Sequence, residues 1–169
     1  MRRIEFVRRV TSSVVLAVLM TAMVASAVLA AVTWHSGPTV TFNGDTSATA
    51  SGDGSGFGNQ PAAATLTVNA TVTYTCVNKG GNAAPGRNPV PETSSGSADL
   101  GNADHNGRGV FNFTVSFTPQ ATVSGKVAGC PNGNWQGVNP VSSGITGATL
   151  TITQGAKTIY SQFFDNPNN

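Results

Sequence analysis

The chain has 169 residues and only 9% of them are charged, giving a formal net charge of +2. Four of its nine basic side chains (Arg2, Arg3, Arg8 and Arg9) and one of its seven acids (Glu5) precede residue 31, so the remainder carries five basic and six acidic groups, a net charge of −1. Such a body has no basic surface to neutralise phosphates, which argues against nucleic acid as a partner and against charge-driven attraction to a membrane.

The N-terminus reads as an export signal. Its arginines form a basic region, "VVLAVLMTAMV" (residues 14–24) is an uncharged stretch, and small residues follow. Ala25-Ser26-Ala27 and Val28-Leu29-Ala30 each offer the small −3/−1 pattern of a signal-peptidase site. The expected cut is after Ala30, with Ala27 as the alternative. The rival reading is a retained anchor, because the uncharged run continues to Val32. Cleavage leaves residues 31–169 as a single secreted domain with no further membrane attachment.

Thr, Gly, Asn, Ser and Ala dominate that domain, and no helical periodicity appears in it. Its first expected strand is "PTVTFN" (38–43), followed by a loop over 44–62. "ATLTVNATVTYTCV" (64–77) then alternates strictly: Leu66, Val68, Ala70, Val72, Tyr74 and Cys76 share one face, and Thr65, Thr67, Asn69, Thr71, Thr73 and Thr75 the other. This period of two predicts a long, half-buried strand with a threonine-lined outer face. Glycine, asparagine and proline predict a loop over 78–97, and another is expected over 101–109. "VFNFTVSFT" (110–118) turns Phe111, Phe113, Val115 and Phe117 inward. A shorter strand is expected over 122–127, a loop over 128–147, and two more strands at "GATLTITQG" (147–155) and "KTIYSQFF" (157–164). Six to seven antiparallel strands with one apolar face predict an all-β, two-sheet sandwich, immunoglobulin-like in the broad sense.

Cys76 and Cys130 are the two cysteines. In an exported chain they most simply pair with each other, and neither sits in a C-x-x-C motif. Each heads a turn-rich segment, "CVNKGGNAAPGRNP" (76–89) and "CPNGNW" (130–135). These two segments, together with "GSGFGN" (54–59), resemble a group of small secreted proteins of actinobacteria and related bacteria. That group carries Cys-x-Asn-x-Gly-Gly-Asn-x-x-Pro-Gly and Cys-Pro-Asn-x-Asn-Trp and has no assigned activity. The resemblance implies export and a single disulfide, and it carries over no site residues.

Catalytic chemistry is not suggested. His35 and His105 are the two histidines, no G-x-S-x-G elbow is present, and His105 reads as part of a solvated turn. Asp45, Asp53, Glu92, Asp99, Asp104 and Asp165 sit mostly among Gly, Ser and Asn, as solubilising loop residues do. Asn102, Asp104, Asn106 and Gly107 imitate the first half of a calcium loop, but Phe113 stands where the closing carboxylate belongs, so no metal and no cofactor is expected. Asn69-Ala70-Thr71 and Asn112-Phe113-Thr114 match the glycosylation sequon. The threonine rows are those of an exposed strand face, with ice binding as a remote alternative.

Trp135 is the leading contact candidate, as a flat face for a sugar ring, against the reading that it plugs the core end; Trp34 raises the same question. Asn134, Asn82 and Arg87 join it as ligand-binding candidates on the two loops. The expectation is a non-enzymatic extracellular module that binds a polysaccharide or surface protein. The alternatives are a self-associating subunit joined through sheet edges, or a hydrolase inhibitor presenting Arg87.

Overall fold

The computed structural model describes residues 32–58, 60–101 and 107–168. The expected signal segment with its two candidate cleavage positions lies outside the described residues, as do Asn102, Asp104, His105 and Asn106 of the calcium-like turn. The described chain is all-β: β1 (Thr33–Asn43), β2 (Ser47–Ser55), β3 (Ala62–Asn78), β4 (Ala83–Pro85), β5 (Val90–Gly101), β6 (Gly109–Ser116), β7 (Thr122–Ser124), β8 (Trp135–Gln154) and β9 (Lys157–Asp165). Seven of these are long strands, and β4 and β7 have three residues each.

Two antiparallel sheets form a sandwich. The smaller has the order β1-β2-β6. In the larger, β3 and β8 run side by side for their whole lengths, from Ala62↔Gln154 to Asn78↔Trp135. Beside one half of this pair lie β5 and β9, and beside the other half lie the short strands β4 and β7.

The alternation in β3 is the spine of the core. Ala62, Ala64, Leu66, Val68, Ala70, Val72, Tyr74 and Cys76 are all buried. Phe111, Val115 and Phe117 from the β6 side and Ala148, Leu150 and Ile152 from β8 join them, as the spacing of those segments predicts, and so does Ile145, which the expected 128–147 loop had included.

Two expected loops contain strands. In place of part of the 44–62 loop, β2 is the central strand of the smaller sheet, turning Ala48, Ala50, Gly52 and Gly54 inward. Its small residues answer large ones: a Cβ on Gly52 would lie 2.6 Å from Phe111 Cζ, and one on Gly54 would lie 2.8 Å from Trp34 Cε3. In place of much of the 78–97 loop, β5 pairs with β3 from Ala62↔Gly101 to Val72↔Val90. Its Gly96 leaves room for Val115, whose Cγ2 would sit 2.8 Å from an added Cβ. The expected 128–147 loop ends early, because β8 begins at Trp135 and absorbs three register shifts against β3.

The disulfide joins Cys76 of β3 to Cys130, with Cα atoms 5.6 Å apart. Around Tyr74 and Cys76 the inner face of the larger sheet is covered by the 117–130 segment. Ala128 is fully buried there, and a Cβ on Gly137 would meet Val123, Ala128 and Tyr74 together. The bond therefore fastens a lid of irregular chain over one end of the core.

Candidate functional site

The residues singled out as contact candidates are positioned by two turn-rich segments at this disulfide end. In the first, Asn78 organises the link from β3 to β4. Its Oδ1 accepts from the amides of Gly80 and Asn82, both at 2.9 Å, and its own amide donates to the Asn82 carbonyl at 3.1 Å. Gly81 takes φ +79°, a conformation that favours glycine. In the second segment Asn132 plays the same part: Oδ1 accepts from the Asn134 amide at 3.0 Å, and the backbone carbonyl accepts from the Trp135 amide at 3.2 Å. Since Asn78 is the ladder partner of Trp135, the two asparagine-built turns end beside each other.

Trp135, Asn134 and Asn82 are thus brought to one place. Asn82 and Asn134 are exposed, whereas Trp135 is half-buried and packs against the core. Arg87 is held through the lid segment instead. It is exposed, and its amide and that of Asn88 donate to the Ala128 carbonyl at 3.0 and 3.2 Å. The preceding Gly86 amide donates to the Tyr74 carbonyl at 2.9 Å. No side chain fits at Gly86, where a Cβ would stand 2.5 Å from that carbonyl oxygen. The lid segment and the loop after β4 are therefore tied to each other as well as to β3.

Under these loops sits a polar network that the sequence reading missed. Glu92 belongs to β5, not to a loop, and is 6% exposed. Its carboxylate accepts from the Tyr74 hydroxyl and from the Gln120 amide, the latter at 2.9 Å. The Tyr74 hydroxyl also reaches the Gln120 carbonyl at 2.9 Å. Burial first, then the Glu92 carboxylate, pushes the Tyr74 phenol up to about 12. A groove of about 570 Å³ runs alongside, lined by residues that include Val90, Pro91, Gln120, Val123 and Gln136. The three groups come from positions 18, 28 and 46 residues apart, so only strand register could have revealed them.

A second constellation forms on the outer face of the smaller sheet. His35 Nε2 lies 3.0 Å from Ser55 Oγ. Asp53, two positions along the same strand face, is held by Arg108 instead: Nε donates to Oδ1 at 3.0 Å and Nη2 to Oδ2 at 2.7 Å. The guanidinium holds the Asp53 carboxyl below the usual carboxylate range. Both Asp53 oxygens are thus engaged by arginine and not by the exposed Ser55–His35 pair. Among the described residues, no three His, Cys, Asp or Glu side chains are grouped to hold a metal ion, and no helix is long and apolar enough to cross a membrane.

Compared with protein-family models, with curated proteins and with solved structures, the chain finds no match in any of the three.

Proposed function

We propose that this chain is an exported, non-catalytic sandwich that binds an extracellular polysaccharide or surface protein through its disulfide end. One observation carries the reading. Two asparagine-built turns are fixed side by side by backbone bonds and by the Cys76–Cys130 bridge, with Trp135 between them and the core. Fixed turns lose little conformational freedom on contact, so side-chain amides and a flat indole edge can engage a hydroxyl-rich or peptide surface at low entropic cost. The export reading rests on the N-terminal sequence and on the disulfide, which persists in oxidising compartments.

The test is retention of the oxidised protein on insoluble polysaccharides and on cell envelopes. Trp135→Ala alone is ambiguous, because loss of a half-buried indole also costs about 1–3 kcal/mol of stability. The exposed amides resolve this. Asn82→Ala with Asn134→Ala is expected to abolish retention while the thermal midpoint stays within the error of surface substitutions, about 0.5 kcal/mol. Retention that survives both the double variant and Trp135→Ala places the contact elsewhere and sinks the proposal.

A second reading draws on Arg87, whose backbone is pinned to Ala128 while its side chain is exposed. A fixed, projecting arginine suits an inhibitor of a hydrolase. Inhibition of trypsin-like activity that Arg87→Ala removes would favour it over the glycan reading.

A further inference from the structure

The near-zero net charge of residues 31–169 conceals how the fold sorts it. Of the five basic side chains there, Arg108 is held by Asp53, and Lys157 lies at the far end of the larger sheet, opposite Gln154. The other three, Lys79, Arg87 and Lys126, are exposed and attach around Trp135 and the disulfide. Lys79 follows Asn78, the ladder partner of Trp135. Lys126 follows Gly125, where a Cβ would run into the Trp135 carbonyl and whose own carbonyl accepts from the Cys130 amide at 2.8 Å. The Arg87 amide is bonded to the carbonyl of Ala128, two positions beyond Lys126. Among the described residues, none of the three forms an ion pair.

The acids lie elsewhere. Glu92 is the one carboxylate beneath this end, and it is buried and engaged by the Tyr74 hydroxyl and the Gln120 amide. The next is Asp45, whose carbonyl accepts from the amide of Ile145, the partner of Ala70. Gly86, which precedes Arg87, is bonded at Tyr74, four residues along β3 and about 13 Å away. That exceeds the screening length of about 8 Å at physiological salt. Asp165 and Asp99 pair further on, with Gly147 and Ala63, and Asp53 lies on β2 opposite Val110. The disulfide end therefore presents positive charge that nothing at its surface cancels.

We infer that the disulfide end takes an acidic polysaccharide, a polymer of uronate-type sugars whose carboxylates meet Lys79, Arg87 and Lys126 while its hydroxyls meet Asn82, Asn134 and the edge of Trp135. This rests on the disulfide-end reading above and narrows its ligand to a glycan that carries negative charge. Each uronate residue supplies both the carboxylate and the hydroxyls that such a mixed surface of cations and amides can engage. A nucleic acid would need aromatic faces for its bases, and the single half-buried indole does not supply a row of them.

The experiment measures retention of the protein, in the form in which the host leaves it, on immobilised polygalacturonate and on cellulose as the uncharged comparison. Retention on polygalacturonate is expected to exceed that on cellulose and to weaken about fifteenfold between about 50 and 200 mM salt, a log–log slope of about −2 for three released counterions. Lys79→Gln, Arg87→Gln and Lys126→Gln together should lower the affinity at least about thirtyfold and flatten the slope, with the thermal midpoint unchanged. Lys157→Gln, at the far end, should change neither. Equal retention on both polymers, indifferent to the triple variant but lost in Asn82→Ala with Asn134→Ala, overturns the charge assignment and leaves the disulfide-end reading standing. Absence of retention on polygalacturonate overturns the inference too, and if cellulose and cell envelopes also fail to retain the protein the disulfide-end reading falls with it. Displacement by duplex DNA as effective as that by free polygalacturonate of equal charge would overturn the assignment to a glycan.

Discussion

At the scale of single residues, Tyr74 is where the fold is most exposed to a change in conditions. Its hydroxyl is buried between Glu92 and the Gln120 carbonyl, and its pKa is pushed up to about 12 from the ordinary value of 10. A folded-state pKa raised above the unfolded one means that the neutral phenol is favoured in the fold. The associated stability is fully present below pH 10 and is lost as pH rises through about 12. The expected outcome is a fall in the denaturation midpoint across pH 10–12, steeper than that of the Tyr74→Phe chain over the same window. Tyr74→Phe should also start lower at neutral pH, by about 1–3 kcal/mol, because it leaves the buried Glu92 carboxylate short of a partner. Parallel pH profiles for the two chains would mean that the phenol is not the group responsible. Burial also raises Tyr160, so Tyr160→Phe serves as the companion control.

At the scale of elements, strands were legible where large residues alternate with threonine and illegible where small ones do. Leu66, Val68 and Val72, or Phe111 and Val115, announce an inward face by themselves. In β2 the inward residues are Ala48, Ala50, Gly52 and Gly54, and their alternation with Ser, Thr and Asp reads as turn composition until the partner strand supplies Phe111. β5 hides in the same way, with Glu92, Ser94, Gly96 and Ala98 on its inner side. The first half of β8 is masked by Pro140 and by Asn139 at φ +50°. The candidate contacts were legible as residue types in turn-rich loops, but not the tie of the Arg87 and Asn88 amides to the Ala128 carbonyl. If β2 is glycine-rich for packing, Gly52→Ala should cost about 1–3 kcal/mol in urea unfolding. Ser51→Thr on the opposite face should stay within about 0.5 kcal/mol. Phe111→Leu should reduce the Gly52→Ala penalty, since the methyl group would sit 2.6 Å from the phenyl ring. An unchanged penalty in that background would point to backbone entropy instead of the ring.

At the scale of the whole molecule, the two halves of the β3–β8 pair are covered by different means, and this fixes what the disulfide is for. Over Leu66 and Leu150 the cover is the hydrogen-bonded sheet of β1, β2 and β6. Over Tyr74 and Cys76 it is the 117–130 segment, whose only strand is the three-residue β7. Irregular chain has few ladder bonds to resist opening, so the covalent link to Cys76 matters most there. The bridge spans 54 residues, for which the chain-entropy relation gives about 4 kcal/mol against the unfolded state. Its removal should be felt locally before it is felt globally. In a Cys76→Ala, Cys130→Ala chain, hydrogen exchange is expected to accelerate first at the amides of Ala128 and Gly129, beside position 130, and at Arg87 and Asn88, which donate to the Ala128 carbonyl. The amides of β2 and β6 should keep their protection until global unfolding. The asparagine turns beside Trp135 would then lose their fixed spacing, so retention on a ligand surface should fall further than the drop in the thermal midpoint accounts for. Uniform acceleration through both sheets would show instead that the sandwich opens as one unit and that the lid is no weaker than the rest.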